Sequence, residues 1–362
     1  MAQEIEITDE IRKKMAADNL EALKREGLNP DRVEPWEDGH RTADRDDAFE
    51  WWYFDAKFEG GWTAVVVFST KPMTKPGAPL KPSAQMIIHD PDGKRMRLGA
   101  AMAPDDLQAS TEKCDVRIGP SHVTGDLATY VLHAEGEGAV LDFTFERGAP
   151  SWRPGAGMSY FDKKKEKYLG WVVPIPYGTV TGTITLDGKT HEVKGTGYHD
   201  HNWGNISPGL GIDHWFWGRA HVGEFSMIFV EIVTAKVPGR GALKVPSFYL
   251  ARGDEIITDD AMPMSLVTRD YVDGPGGRPY PRVLDWQWHT PEGDIELNIT
   301  NPSLIETINV LEDMPRWEQA LVHLIAKPLY YDFNADIAFK IDYAGIKAQV
   351  DGSALYEIMM LR

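Results

Sequence analysis

Gly178-Thr179-Val180-Thr181-Gly182-Thr183-Ile184-Thr185-Leu186, then Asp187-Gly188-Lys189, then His191-Glu192-Val193-Lys194-Gly195-Thr196-Gly197-Tyr198: this stretch decides the fold class. Two runs rich in β-branched residues flank an Asp-Gly turn, the local signature of paired antiparallel strands. The same texture recurs outward in both directions. Upstream it covers Phe49 to Phe58, Trp62 to Phe68, Ala84 to His89, Val116 to Ile118, Ala128 to Ala134 and Val140 to Phe145. Downstream it returns at His214 to Ala220, Glu224 to Thr234, Pro246 to Ala251, Val283 to His289, Ile295 to Ile299, Ala335 to Ile341 and Leu355 to Met360.

Helix signals are few. The first 27 residues carry an apolar stripe of Ile11, Met15, Leu20 and Leu23 behind a cap region at Thr8-Asp9-Glu10, and Gly27 is a natural stop. Residues 28–47 are polar and acidic, with Pro30 and Pro35, and read as an extended connector. Arg316 to Ala326 reads as helix or, equally, as a strand leading to Tyr330-Tyr331. The balance predicts an all-β protein of antiparallel strands, arranged as two barrels or sandwiches in series. The break falls in Asn205-Ile206-Ser207-Pro208-Gly209-Leu210-Gly211. The expected parts are residues 1–47, 48–208 and 209–362. Glu50-Trp51-Trp52-Tyr53-Phe54 and His214-Trp215-Phe216-Trp217-Gly218 open the two halves with a similar aromatic pattern.

Composition removes several functions. The chain has 362 residues, 38 Lys plus Arg and 55 Asp plus Glu, for a formal charge of −17. That field repels nucleic acid, and the basic cluster Lys163, Lys164, Lys165 and Lys167 is interrupted by Glu166 and reads as a solvated loop. The single cysteine, Cys114, excludes an internal disulfide. Met1-Ala2-Gln3-Glu4-Ile5 lacks the features of a signal peptide. No apolar run approaches the roughly 20 residues that cross a bilayer. A cytoplasmic protein without a stable membrane anchor is expected. The helix is expected to pack on a barrel wall or on a second copy of the chain, so a homodimer is a candidate assembly.

The 12 tryptophans are unusually many, and Trp51, Trp52, Trp171, Trp203, Trp215 and Trp217 cluster near the ionisable residues. If the strand through Tyr198 continues extended, Tyr198, Asp200 and Asn202 share one face, and His199, His201 and Trp203 the other. Trp215, Trp217 and Arg219 share a face ten residues on, next to His214. Glu50, Trp52 and Phe54 share a face of the first strand, which makes Glu50 a candidate second polar group. An acid walled by aromatics keeps its proton nearer neutral pH and can protonate an alkene or a leaving hydroxyl, while ring faces stabilise the cation. The competing reading has Asp200 bonding backbone amides at a turn and the aromatics filling a barrel core. A metal on His199 and His201 with His214 or Asp213 is disfavoured, because histidine beside tryptophan in a β-protein commonly bonds a carbonyl. No Gly-x-Ser-x-Gly occurs, Cys114 has no histidine signal near it in sequence, and Gly274-Pro275-Gly276-Gly277 lacks the strand-to-helix setting of a phosphate loop.

Taken together, Glu50-Trp51-Trp52-Tyr53-Phe54, Gly195-x-Gly197-Tyr198-x-Asp200-His201-Asn202-Trp203-Gly204 and Trp215-x-Trp217-Gly218-Arg219 resemble the carotenoid 1,2-hydratase superfamily, also described as AttH-like. That group includes hydroxyneurosporene synthase, kievitone hydratase and lipocalin-type Diels–Alderases. The likeness covers about residues 48 to 362. It implies two tandem lipocalin-like domains, a hydrophobic small-molecule ligand and no cofactor. It further implies Asp200 as proton donor with Tyr198 beside it and, more loosely, Trp171. The expected function is a cofactor-free lyase of the hydratase or dehydratase type, or a related lyase of C–O or C–C bonds, acting on a hydrophobic terpenoid or aromatic small molecule, with Trp171, Trp215 and Trp217 lining the pocket and Asn202 or His201 orienting water. His214 and Arg219 are counted as substrate contacts, although Arg219 could instead pair with an acid such as Glu231. The alternatives are a cyclase that preorganises its substrate and a non-catalytic carrier.

Overall fold

The structure is a computed structural model that describes residues 4–5, 9–162, 164–236, 242–309 and 328–362, with side chains from residue 14 onward. It divides into two compact units, one of residues 14–207 and one of residues 208–362 together with 1–13. Each is built on one large sheet that is antiparallel apart from a short parallel pairing of Glu4–Ile5 with the strand Ala242–Arg252. The all-β expectation holds. The undecided stretch from Arg316 to Ala326 lies outside the described residues, as does Lys163. Among the described residues, no helix is long and apolar enough to cross a membrane.

In residues 14–207 the sheet has 12 strands. At its centre is the hairpin of Tyr168–Leu186 and Lys189–Gly204. Asp187 (φ 49°) and Gly188 (φ 78°) form a two-residue turn with both central residues left-handed, the geometry that matches the twist of the flanking strands. The first strand is longer than its expected start at Gly178 because it runs through Pro174 and Pro176. Proline cannot donate to a ladder, and the pairing slips between Val172 and Ile175 and again between Ile175 and Gly178. Phe49–Phe58, Thr63–Ser69, Ser83–His89 and Arg95–Leu98 extend the sheet on one side. Ala139–Arg147, Thr129–Gly136, Ser121–Gly125, Asp115–Ile118 and Leu107–Ala109 extend it on the other. Met86 and Ile88 near one end share a single core with Val116 and Ile118 near the other. A sheet whose two ends feed one core must curl around it.

The connector departs from its sequence reading. Its residues Pro35–Asp38 form a 3-10 turn, and Glu37, Asp38 and Thr42 are buried. Asp38 receives the Tyr130 hydroxyl at 2.5 Å and His199 Nε2 at 3.1 Å, and its backbone carbonyl accepts the Trp52 indole N–H. His201 lies between Asp38, at 3.3 Å, and Glu50, at 2.7 Å. Glu50 also accepts the backbone N–H groups of Arg41 and Thr42 and the Thr42 hydroxyl. Buried charge is costly unless paired and hydrogen-bonded, and this network supplies both. Glu37 and Asp38 therefore plug the unit, while Asp31, Asp44, Asp46 and Asp47 face water. The helix Asp9–Glu26 packs through Ala22 and Leu23 against Ala156, whereas Leu20, expected in its apolar stripe, is 58% exposed.

The second unit carries a ten-stranded sheet. From Ala242–Arg252 it passes through Phe225–Thr234, Ile212–Val222, Ile346–Met360, Leu329–Tyr343, Gly293–Asn309 and Pro279–Thr290 to Met264–Asp273. Trp286 and Trp288 are core residues here, together with Phe229, Phe333 and Tyr356. Met264–Asp273 is a strand the sequence did not reveal. It ends the sheet order, and its mostly exposed Thr268-Arg269-Asp270-Tyr271 segment lacks apolar alternation, as suits a protected edge. Gly218 faces inward, where a Cβ would stand 2.2 Å from the Phe229 ring and 3.0 Å from Tyr356 Cβ.

Burial opposes ionisation of Asp38, but the charge and hydrogen bonds of His199 and His201 outweigh it and draw its pKa from 3.8 to about 2. A depressed carboxyl pKa contributes stability above the unfolded value that is lost as pH falls from about 4 toward 2, on the order of 2 kcal/mol here. Asp38→Asn should cost about 3 kcal/mol at neutral pH and flatten that acid limb, measured by urea denaturation across pH. Gly218→Ala should cost about 2 kcal/mol in the same assay at pH 7, because the ring it meets sits in a filled core.

Candidate functional site

Strand alternation sorts the sequence-predicted residues into two groups. On the Lys189–Gly204 strand, Tyr198, Asp200 and Asn202 occupy one face and His199 and His201 the other, core-facing one. Asp200 Oδ2 accepts the Trp171 indole N–H and the Tyr198 hydroxyl, each at 2.9 Å, and Oδ1 accepts the Asn202 amide at 3.0 Å. Trp171 reaches this point because it pairs with Asn202 across the hairpin. Trp152 meets Trp171 edge-on at 5.3 Å, and Tyr53, the register partner of Asp200 on the next strand, has its ring 6.4 Å from that of Tyr198. The turn-capping alternative for Asp200 is thereby replaced: its partners are side chains in mid-sheet.

Burial raises the pKa of Asp200, and the hydrogen bonds from Tyr198, Trp171 and Asn202 pull the other way without cancelling it. A carboxyl group that holds its proton more firmly than usual, fixed by three donors and flanked by ring faces, is equipped to act as a general acid.

Glu50, Trp52 and His201 lie elsewhere. All three are fully buried on the interior side of the sheet, within the Asp38 network. His201 stacks on Trp52 at 4.6 Å, and both its ring nitrogens face carboxylates. Its pKa is raised: burial lowers it, but Asp38 and Glu50 more than compensate. It is therefore not placed to orient water beside Asp200. His199 stacks on Phe54 at 3.8 Å and points at Asp38, a partner invisible in sequence because 161 residues separate them.

His214, Trp215, Trp217 and Arg219 belong to the other unit, on Ile212–Val222. Trp215, Trp217 and Arg219 are half-buried on the face opposite Phe216, Gly218 and Ala220. Trp215 donates its indole N–H to Glu357 Oε1 at 2.9 Å, and the Tyr330 hydroxyl donates to Oε2 at 2.7 Å. Glu357 is thus a second acid held by one indole and one phenol, as Asp200 is, and the sequence reading missed it. His214 pairs with its neighbour Asp213 at 2.7 Å.

Cys114 also has a different setting from the one expected. It lies buried beside Asp38 and His199, the three offering ligand atoms within 4.8 Å of one another. Burial pushes its thiol well up, with the charge of Asp38 adding to the effect, so it stands as a neutral thiol. Asp38 is already engaged by Tyr130 and His199, which accounts for the trio without an ion.

Comparison with known proteins agrees with the fold. The structure matches that assigned to AttH of Nitrosomonas europaea with a TM-score of 0.62 at 16% identity, covering 92% of this chain and 98% of that one. It matches kievitone hydratase from Nectria haematococca with a TM-score of 0.54 at 14% identity, covering 91% and 94%. In sequence, the chain is 26% identical over 213 residues to the ceramide-binding protein svf1 of Emericella nidulans, an alignment that spans 56% of this chain and 54% of that protein. It is 22% identical over 310 residues to the quinolone epoxide rearrangement protein asqO of the same organism, spanning 73% and 75%. The AttH-like fold that the motifs implied is the fold found. The model of the Svf1 family matches residues 97–361, and on that match, which runs over most of its length, the chain belongs to the Svf1 family.

Proposed function

We propose that this chain binds a hydrophobic small molecule and acts on it as a lyase of the hydratase or dehydratase type, with Asp200 as the proton donor. The observation that carries the acid role is the half-buried Asp200 carboxyl group, held by Trp171, Tyr198 and Asn202 with its pKa raised. The ligand class is supported by a relative described as ceramide-binding and by the fold shared with a hydratase. In the hydration direction, Asp200 gives its proton to an alkene carbon. The cation forms against the Trp171 and Tyr198 rings, and water adds to it and returns a proton to the carboxylate. The proton transfers balance within the chain's own side chains, so no cofactor is required. Trp215, Trp217, Arg219 and His214 are proposed ligand contacts of the second unit. Glu50, Trp52 and His201 take a structural role.

A second reading, a carrier that leaves its ligand unchanged, is favoured by the ceramide-binding svf1 relatives and the Svf1 family match. Native mass spectrometry with a long-chain ceramide tests it, since a carrier returns the ceramide intact and turns over no alkene.

Acyclic terpenoids ending in an isopropylidene group, incubated in D2O, should take up deuterium with the wild-type protein. Asp200→Asn should lower that uptake by about a hundredfold. The amide can still serve the three neighbours, so the variant should fold. A carboxyl group with a raised pKa contributes stability only at low pH and loses it as pH rises through the folded value. Asp200→Asn should therefore be at least as stable as wild type at pH 7 by thermal melting. Uptake that survives in the variant overturns the acid role.

Activity should fall as pH rises through the pKa of Asp200. Tyr198→Phe removes a donor that favours the ionised form, so the descending limb of the pH–rate profile should move to higher pH. A limb that stays in place would show that Tyr198 does not tune the acid.

A further inference from the structure

The unit of residues 14–207 contains a cavity of about 240 Å³ that does not include Asp200. Its lining is cationic in a chain whose formal charge is −17: five Arg and Lys side chains face two carboxylates. Most of these cations are already satisfied. Arg153 is paired with Glu37 at 3.0 Å and bonds the carbonyls of Arg32 and Asn29. Arg25 engages Glu26 and the Tyr160 hydroxyl, and Arg45 pairs with Asp47. Lys165 lies 3.8 Å from Glu21 and 3.9 Å from Asp18.

Arg41 differs. Its guanidinium carbon sits 4.4 Å from the Trp36 ring centre and 5.8 Å from that of Trp203, and its buried Nε has no hydrogen-bond partner. Among the described residues the guanidinium makes no ion pair or hydrogen bond, whereas the backbone N–H of Arg41 donates to Glu50. Burial lowers its pKa, with Glu50 and Glu37 opposing, so its charge is incompletely compensated. A half-buried guanidinium beside two indole rings presents a planar fork of donors to a carboxylate. Trp203, Tyr168, Val172 and Met158, which pack together in one apolar cluster, line the cavity beside it. A cavity of about 150 Å³ accommodates benzene, so this one has room for a single ring and its carboxylate.

We propose that this cavity is a binding site for a small aromatic carboxylate, with Arg41 as the anchor of the anion. The site goes beyond the acid chemistry of Asp200 and does not depend on it. The two meet at Trp171, which borders the cavity and whose indole N–H turns to the other face of the sheet, where it holds Asp200.

Calorimetric titration with benzoate tests the proposal on the full chain. Saturable binding is expected, with benzamide, its neutral isostere, at least about tenfold weaker. Arg41→Gln should weaken benzoate about tenfold or more, and Arg41→Lys should recover part of the loss. Indole-labelled wild-type protein gives a readout that needs no variant. Benzoate should shift the Trp203 N–H signal and leave that of Trp286 in place. No binding at millimolar benzoate, equal binding of benzamide, unchanged affinity in a folded Arg41→Gln, or competition by inorganic phosphate as strong as that of benzoate would each overturn it. None of these outcomes bears on the Asp200→Asn uptake assay, so the two readings fail separately.

Discussion

Consecutive residues of a β-strand can only face opposite sides of the sheet, and Lys189–Gly204 uses that constraint to hold two kinds of polar chemistry apart. On the inner side, the buried His199 and His201 pair with Asp38 and Glu50. On the outer side, Asp200 is held by an indole, a phenol and an amide. A shift of one residue in register would exchange the two sets, placing the histidines outside and an unpaired acid in the core. The Asp187-Gly188 turn, which fixes that register, is therefore as much a part of the site as the acid.

The fold was largely legible because its signals are local. The Asp-Gly turn, the β-branched runs and the alternation of Phe49–Phe58 each act over a few residues, and the structure follows them closely. The alternation around Asp200 was equally readable and put His201 on the other face, yet the role of orienting water was still assigned to His201 until its bonds to Asp38 and Glu50 excluded it. What sequence could not convey depended on distance along the chain. The acids at 37 and 38 look like solvated connector until His199, His201 and Arg153 are brought to them. Glu357 shows no local mark of its role, since its partners Trp215 and Tyr330 lie 142 and 27 residues away. Pro174 and Pro176 argued against a continuous strand, and only the register slips explain how the ladder survives them. Met264–Asp273 escaped notice because an edge strand has little need of apolar alternation.

Each unit holds one carboxylate with a tryptophan and a tyrosine: Trp171 and Tyr198 on Asp200, Trp215 and Tyr330 on Glu357. The donors differ in detail, both reaching one oxygen of Asp200 but separate oxygens of Glu357. An indole and a phenol are rigid groups that combine a large apolar face with a single donor, so they can fix an acid while keeping its surroundings poor in water. The surplus of tryptophan in the composition thus serves two ends, filling cores at Trp286 and Trp288 and steadying acids at Trp171 and Trp215.

The plug formed by Asp38 also bears on the order in which the chain can fold. Its partners come from Thr129–Gly136 and from Lys189–Gly204, so neither Tyr130 nor His199 is available until strands far apart in sequence have closed around the core. Loop closure of that span is slow compared with hairpin formation. The central hairpin can therefore assemble early, while burial of the connector belongs to the last steps. On the ribosome Asp38 is made before Tyr130 and His199 and must wait, unsatisfied, for the residues that receive it.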